Sequence, residues 1–511
     1  MTEAWKQAFA RVPELLAAHV QISVSALILA MLICLPLAIW ASRAPKVATF
    51  TLAIASLIQT IPGLALLALF YPLLLGLSAL IGGGISAFGF LPALLALTLY
   101  ALLPILRNAV TGLAGVDPAV AEAADGLGMT QGQKLYLVEA PLAAPTIMAG
   151  IRTAAVWTIG AATLSTTVGQ PSLGDLIFAG LQTQNWTLVL TGCLFSALLA
   201  ISVDLLLGLI EMGIRKRRKV LVWTGMAVIA AGLLVATLPL MIARDNVVVI
   251  GAKGFSEQYI LARLIGSRLE EAGYTVRYRD GLGSAVVYQA LSEGDIDVYV
   301  EYSGTIWTNQ MERTDSQSKA AMLETIAQWT SSNHGVKMLG ELGFENTYAF
   351  AIRPADAREK TLKTLDDLAR VSSDFNFGTD VEFLERPEWQ MVQDAYPIRF
   401  KDARSFSPTF MYPALASGEV DVISAFSSDG RIAANNFVVL EDPRGAVPSY
   451  EAIMLLAPDR SSDDKFVAAL NPLVGAITVE VMREANYMVD RKDDKKTSRQ
   501  AARWLNEKLR E

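Results

Sequence analysis

The sequence predicts an all-α membrane domain followed by an α/β domain of two lobes, on three observations. Apolar residues make up 52% of the 511 residues and charged ones 18%, with a mean hydropathy of +0.37, too apolar for an ordinary soluble chain. The apolarity is concentrated in the first half, in runs of the roughly 20 residues that cross a bilayer. From Asn246 onward short β-branched runs alternate with helical patterns, the signature of a mostly parallel sheet.

Six spans follow in order, at about 20–42, 50–75, 90–110, 145–168, 187–212 and 220–242. Arg43 and Lys46 follow the first, Arg107 and Lys134 the third, and the run Arg215 to Lys219 the fifth. These cations share the cytoplasmic side only if the N-terminus is outside. Loops 76–89 and 169–186 are then outside too, and the sixth span carries everything after Ala243 across. Residues 1–42 lack a basic n-region and a small-residue cleavage site, so the first span is expected to stay. The expected division is a membrane domain of five spans and a cytoplasmic loop at 1–219, a sixth span and linker at 220–245, and an external domain at 246–511.

A net charge of −7 argues against a nucleic-acid partner, since phosphate binding needs clustered Lys and Arg. The dense basic run from Arg215 lies between apolar spans and reads as a topological anchor. Cys34 and Cys193 both fall in apolar spans, which leaves the external domain without a thiol. His19 and His334 are far apart with no Cys pair, so each reads as a surface or interface residue, and neither metal nor cofactor is expected. The sequence has no Gly-x-x-x-x-Gly-Lys-Ser/Thr phosphate loop, so an ATP-driven motor has to be another chain. No nucleophile, base and orienter stand together as an enzyme would need. Asp204 and Arg152 sit toward the cytoplasmic ends of their spans, where snorkelling or pairing with a neighbouring loop makes them structural. In Gln59-Thr60-Ile61-Pro62-Gly63, Pro62 is expected to kink the second span and free a backbone carbonyl.

In the external half, 247–251, 275–279 and 296–302 read as strands, with helical patterns at 256–272 and 284–293. A second block has strands near 375–378, 420–425 and 438–440. Lobe one then covers 246–345 and 455–511 and lobe two 354–447, joined by extended crossovers at about 345–353 and 448–457. Open parallel sheets bind ligands beyond their C-terminal strand ends, so both edges face one cleft. Five clusters fall there: Gly254 to Gln258, Glu301 to Thr305, Asn346 to Ala349, Phe426 to Arg431, and Ser449 to Ala452. Each carries an aromatic residue. One Tyr or Phe at a strand end is more often core or rim than cage; five converging on one cleft are harder to dismiss.

Between the third and fourth spans, Asp117-Pro118 starts a helix, Gly126 and Gly128 break it, and a second begins near Thr130. Capping signals alone describe a plain helical hairpin. The ordered run from Arg107 to Arg152, with Glu122-Ala123-Ala124 followed by Gly128, resembles the cytoplasmic coupling loop of ABC-importer permeases, which docks into a separate ATPase. Gln59 to Gly63 resembles the Gln-Thr-Ile-Pro-Ser of osmoprotectant permeases, with Gly63 for Ser.

The external clusters resemble the binding proteins of the same osmoprotectant branch, which recognise glycine betaine, carnitine, choline and related quaternary amines. Ser256 and Ser303 replace Thr of that pattern, and Phe426-Ser427-Ser428 replaces Tyr-Thr-Thr. The resemblance covers nearly the whole chain, in a fused arrangement also found for ergothioneine importers. It implies a type I ABC importer permease-like domain and a type II periplasmic-binding-protein-like domain, multi-pass in a bacterial inner membrane with the C-terminal domain outside. Its implied partners are a small quaternary-amine ligand, membrane lipid, a second copy of the chain, and separate ABC ATPase chains docked at Glu122, Ala123 and Gly128. A trimethylammonium group has no N–H to donate, so ring faces must recognise it; Tyr302, Tyr348, Phe426 and Tyr450 are the expected cage. Gln258, Thr305 and Asn346 are the expected hydrogen-bonding residues for a carboxylate, while Asp429 meets a donor or, as Ser-Asp-Gly suggests, caps a turn. The rival reading of another class is a membrane-anchored ligand sensor.

Overall fold

The computed structural model describes residues 3–81, 85–183, 185–241, 247–313, 315, 317–380, 382–406, 408–491 and 493–511. They fall into two compact units, Met1–Ile177 with Thr187–Ala243, and Phe178–Trp186 with Arg244–Glu511.

The first unit is helical. Its elements are α1 (Glu3–Arg43), α2 (Pro45–Thr60), α3 (Gly63–Ile81), α4 (Phe90–Ala114), α5 (Pro118–Gly126), α6 (Gln131–Lys134) and α7 (Ala140–Ala161), then the start of α8 (Gly174–Gln182), which belongs to the second unit from Phe178 on, α9 (Trp186–Arg215) and α10 (Lys219–Met241). α4 packs against both α1 and α7. Small residues permit the approach: Ala26, Ala30, Cys34 and Ala38 recur every fourth position of α1, fully buried. A Cβ at Gly150 of α7 would lie 2.7 Å from the Pro104 carbonyl oxygen of α4. Outer faces are apolar, with Leu32, Leu57 and Trp223 each 67% exposed, as suits lipid.

The six expected spans fall on α1, on α2 with α3, and on α4, α7, α9 and α10. Among the described residues, four helices are by themselves long and apolar enough to cross a membrane: Ala8–Arg43, Phe90–Ala114, Gln131–Val168 and Trp186–Arg215. The second expected span is broken, not kinked: Pro45–Thr60 and Gly63–Ser78 meet at 101° and make a fifth crossing only if counted together. The residue before a proline is pushed out of the helical region, and Ile61 is extended at φ −73°, ψ 128°. Its freed carbonyl accepts the Tyr100 hydroxyl at 2.5 Å. α10, Lys219–Met241, carries the sixth expected span; the expected span end at 242 and the linker to 245 lie outside the described residues.

Three polar residues of this unit also differ from expectation. His19 is fully buried, not at the surface. Its Nδ1 accepts the Leu173 N–H at 3.3 Å, which leaves Nε2 to donate to the Ile159 carbonyl at 3.0 Å. Arg152 and Asp204 pair with each other across α7 and α9, bidentately at 2.6 and 2.7 Å, rather than with a loop. Glu211 adds a third contact at 3.3 Å.

Among the described residues the second unit contains ten strands: β1 (Val247–Lys253), β2 (Thr275–Leu282), β3 (Val298–Tyr302), β4 (Lys337–Glu345), β5 (Tyr348–Ile352), β6 (Asn376–Asp380), β7 (Asp402–Phe406), β8 (Val422–Phe426), β9 (Val438–Leu440) and β10 (Glu451–Leu456). They form two sheets, ordered β2-β1-β3-β10-β4 and β7-β6-β8-β5-β9. The sheets are mixed: β10 runs antiparallel to β3 and β4, and β5 antiparallel to β8 and β9. The segments expected as plain crossovers are therefore sheet strands. Only Asn346 and Thr347 separate β4 of the first sheet from β5 of the second. Fully buried Val248, Ile250 and Val298 core the first sheet, and Phe377, Val422 and Ile423 the second.

Candidate functional site

Beyond the strand ends of the second unit lies a cleft of about 250 Å³. Tyr302 ends β3 opposite Ala452, and Phe426 ends β8 opposite Tyr348. Together with Tyr450 these residues line the cleft, joined by Phe255. Neighbouring rings are in contact: Tyr348 stands 5.0 Å from Phe426 and 6.0 Å from Tyr450, while Phe255 is parallel to Phe426 at 6.1 Å and stacked on Tyr302 at 6.2 Å. Gly304 carries the Tyr450 ring directly, and a Cβ there would collide with it.

The hydroxyls of two cage tyrosines are committed to buried carboxylates. Tyr302 donates to Glu257 at 2.6 Å, and Tyr450 donates to Glu388. Their ring faces are what remains for a ligand. Glu257, at the start of the helix Ser256–Glu271, is a hub: it also accepts from Asn346 Nδ2 (3.0 Å), Ser428 Oγ (2.5 Å) and Asn486 Nδ2 (2.8 Å). Burial raises its carboxyl above the usual range while the four donors oppose the shift. Lys253, lowered by burial, is ion-paired with fully buried Glu301.

The loop after β6 supplies a different set. Asp380 and Arg386 line the cleft beside Glu382. Arg386 pairs with Glu382 at 2.8 Å through Nη2 and more loosely with Glu388 at 3.8 Å through Nη1, while its buried Nε and Nη1 make no hydrogen bond. Asp380 Oδ1 accepts the N–H groups of Glu382 and Phe383 at 2.8 and 3.0 Å; Oδ2, also buried, has no partner.

Of the eight residues expected here, Tyr302, Thr305, Asn346, Tyr348, Phe426 and Tyr450 line the cleft. Gln258 does not: its amide turns inward to the Val300 carbonyl (3.0 Å) and the Tyr302 hydroxyl (3.1 Å), so it supports the cage from behind. Asp429 caps the short helix Gly430–Ala434 and holds Arg431 at 2.5 Å, the turn role. Asp380, Arg386 and Glu257 were not anticipated as site residues. Glu257 lies within a cluster singled out by sequence, whereas nothing in the periodicity marks the loop after β6.

The expected docking loop is a distinct feature of the first unit. Asp117 caps α5, accepting the Ala119 N–H, and Thr130 and Gln133 form a capping box on α6. Lys134 ties the pair together through Asp125 at 2.8 Å. Glu122 and Ala123 are exposed on α5, as is Gly128, which is left-handed at φ +75° with open space where a Cβ would go. Gly128 therefore answers backbone strain, not a clash within this chain. Leu127 and Tyr136 project with 77% and 79% exposure.

Residues 34–216 match the binding-protein-dependent transport system inner membrane component, and residues 246–507 the substrate binding domain of ABC-type glycine betaine transport system. The chain belongs to the ABC importer family as a permease fused to its substrate-binding domain. It is 31% identical over 462 residues to the ergothioneine transport permease/ergothioneine binding protein EgtU of Helicobacter pylori (strain G27), covering 87% of this chain and 81% of that one. The choline transport system permease protein OpuBB of Bacillus subtilis (strain 168) is 42% identical over 193 residues, 38% of this chain and 83% of that one. A solved glycine betaine/carnitine/choline ABC transporter structure, 26% identical, covers 52% of this chain and 98% of that one with a TM-score of 0.46.

Proposed function

We propose that this chain is pore and receptor at once in an ATP-driven importer of a small quaternary amine. The observation that carries this reading is the cleft itself. Five aromatic residues line it, suited to a cation that cannot donate a hydrogen bond, and Arg386 brings a buried guanidinium whose Nε and Nη1 make no hydrogen bond, suited to a carboxylate. The homologue over most of the chain favours ergothioneine, a trimethylammonium betaine, as a second reading beside glycine betaine, carnitine and choline. The first unit acts as a homodimer with both termini outside, as the cation distribution suggests. Two separate ATPase chains seat on the capped elbow around Glu122, Ala123 and Gly128, and Leu127 and Tyr136 supply apolar contacts. Ligand closes the lobes, the loaded domain sits on the outer mouth, and ATP binding turns the pore outward.

Two measurements test this. A thermal-shift screen of the full chain against glycine betaine, choline, carnitine and ergothioneine should show stabilisation by at least one; no response from a folded sample sinks the ligand class. Gly128→Val should abolish uptake into proteoliposomes holding the partner ATPase while leaving ligand affinity unchanged. Undiminished uptake removes the loop from the mechanism and revives the sensor reading.

A further inference from the structure

Asp380 is 5% exposed and lines the cleft, and neither end of a simple betaine satisfies it. A buried polar oxygen without a partner is costly, and native structures leave few of them. Oδ1 is taken by two backbone N–H groups; Oδ2 has none. A trimethylammonium group cannot donate to it, and a carboxylate would be repelled. Asn346 repeats the pattern: Glu257 fixes its amide through Nδ2, which leaves Oδ1 unpartnered in the same cleft. Among the described cleft residues, donors without a hydrogen bond belong to Arg386, whose Nε, and Nη1 beyond its loose 3.8 Å pairing with Glu388, suit a carboxylate. The unfilled acceptors therefore ask for a third ligand group.

We propose that Asp380 is a specificity-determining residue, selecting betaines that carry an N–H or O–H donor besides their trimethylammonium and carboxylate groups. This rests on the quaternary-amine reading above. A hydroxyl on the carbon chain, as in carnitine, or a ring N–H, as in ergothioneine, meets the requirement, whereas glycine betaine has no donor. Sites built to hydrogen-bond a ligand reject the analogue lacking that group far more strongly than apolar pockets reject a size change, because the buried acceptor is left unpaired.

Asp380→Asn isolates the effect. Its side-chain oxygen can still accept the two turn N–H groups, while the second position becomes a donor instead of an acceptor. The experiment is titration calorimetry of the full chain in lipid nanodiscs with glycine betaine, carnitine, ergothioneine and choline. The parent should bind carnitine or ergothioneine at least tenfold more tightly than glycine betaine. Asp380→Asn should lose at least tenfold for that ligand and under threefold for glycine betaine. Arg386→Gln should weaken the three carboxylate ligands and spare choline. Equal weakening of glycine betaine and the donor-bearing ligand by Asp380→Asn would mean that Asp380 acts only as a charge, and overturns the inference. So does a parent preference under tenfold, which decides the matter even if the variant fails to fold. Binding of none of the four ligands defeats the quaternary-amine reading itself.

Discussion

The two walls of the cleft share a strand pattern and differ in how their polar groups are finished. Each sheet sets three parallel strands beside a reversed fourth and then a fifth, β2-β1-β3-β10-β4 in one and β7-β6-β8-β5-β9 in the other. The reversed strand is the return crossover, β10, in the first sheet and the outgoing crossover, β5, in the second. On the first wall Glu257 accepts four hydrogen bonds, and Lys253 is ion-paired with Glu301. On the second wall Asp380 and Arg386 keep atoms without partners. The first wall fixes Tyr302 and Asn346 in advance, leaving only Asn346 Oδ1 open among the hydrogen-bonding atoms named here; the second holds more groups that a ligand has to complete. Preorganisation and selectivity are thus assigned to different lobes.

The largest effect should come from breaking the frame. Glu257→Leu strips four donors of their acceptor in a fully buried site, and loss of one member of such a network costs about 3–5 kcal/mol. Urea unfolding of residues 247–511 would measure it. Glu257→Gln, which keeps the shape, should cost less. Equal and small losses in both variants would mean that the hub does not organise the first wall.

Asp490 gives a second handle, through pH. It accepts Ser256 Oγ at 2.6 Å, and burial pushes its carboxyl up to about 6, against the pull of Arg431 and Lys495 and with the push of Asp429. A folded-state value above the unfolded one means that the folded protein holds the proton more tightly. The associated stability is present below about pH 4 and lost as pH rises through 6. Relative to Asp490→Asn, the parent should lose up to about 3 kcal/mol between pH 4 and pH 7. A difference that stays flat across that range would show that Asp490 titrates as an ordinary surface carboxylate.

The cage residues sharpen the contrast between walls. Tyr302→Ala, Tyr348→Ala and Tyr450→Ala should each weaken ligand binding by a power of ten or more, about 1.4 kcal/mol per decade. Tyr302→Ala should also lower stability, because its hydroxyl belongs to the Glu257 hub. Calorimetry and urea unfolding on the same samples separate the two losses. If all three variants fold and bind like the parent, the rings are packing residues.

What the sequence made legible follows from periodicity and strand ends. Tyr302 and Phe426 close β-branched runs, so their place at a sheet edge could be read directly. β4 was hidden because Gly340 and Gly343, at φ +158° and +107°, interrupt any alternation, and β7 because it is a largely exposed edge strand of polar residues. Asp380 and Arg386 escaped notice because their significance lies in what they do not bond to, a property of three dimensions. The same holds for His19: a lone histidine in an apolar helix carries no sign of the two backbone groups that bury it. Ile61-Pro62 announced a disturbance, but its size depended on Tyr100 being present to take the freed carbonyl.

The smallest effect expected is that of Phe426→Tyr, and it tests whether the cage works by ring faces alone. Phe426 lies parallel to Phe255, 4° apart in plane, and 5.0 Å from Tyr348. A hydroxyl at its tip leaves both faces in place. The two cage tyrosines with assigned hydroxyl partners spend them on Glu257 and Glu388 rather than on the cleft, so a further hydroxyl has no precedent as a ligand contact here. Affinity for carnitine and ergothioneine should change by less than threefold, under about 0.7 kcal/mol. A tenfold change in either direction would show that a phenol at this position reaches the ligand, and selectivity would then belong to the tip of β8 as well as to the loop after β6.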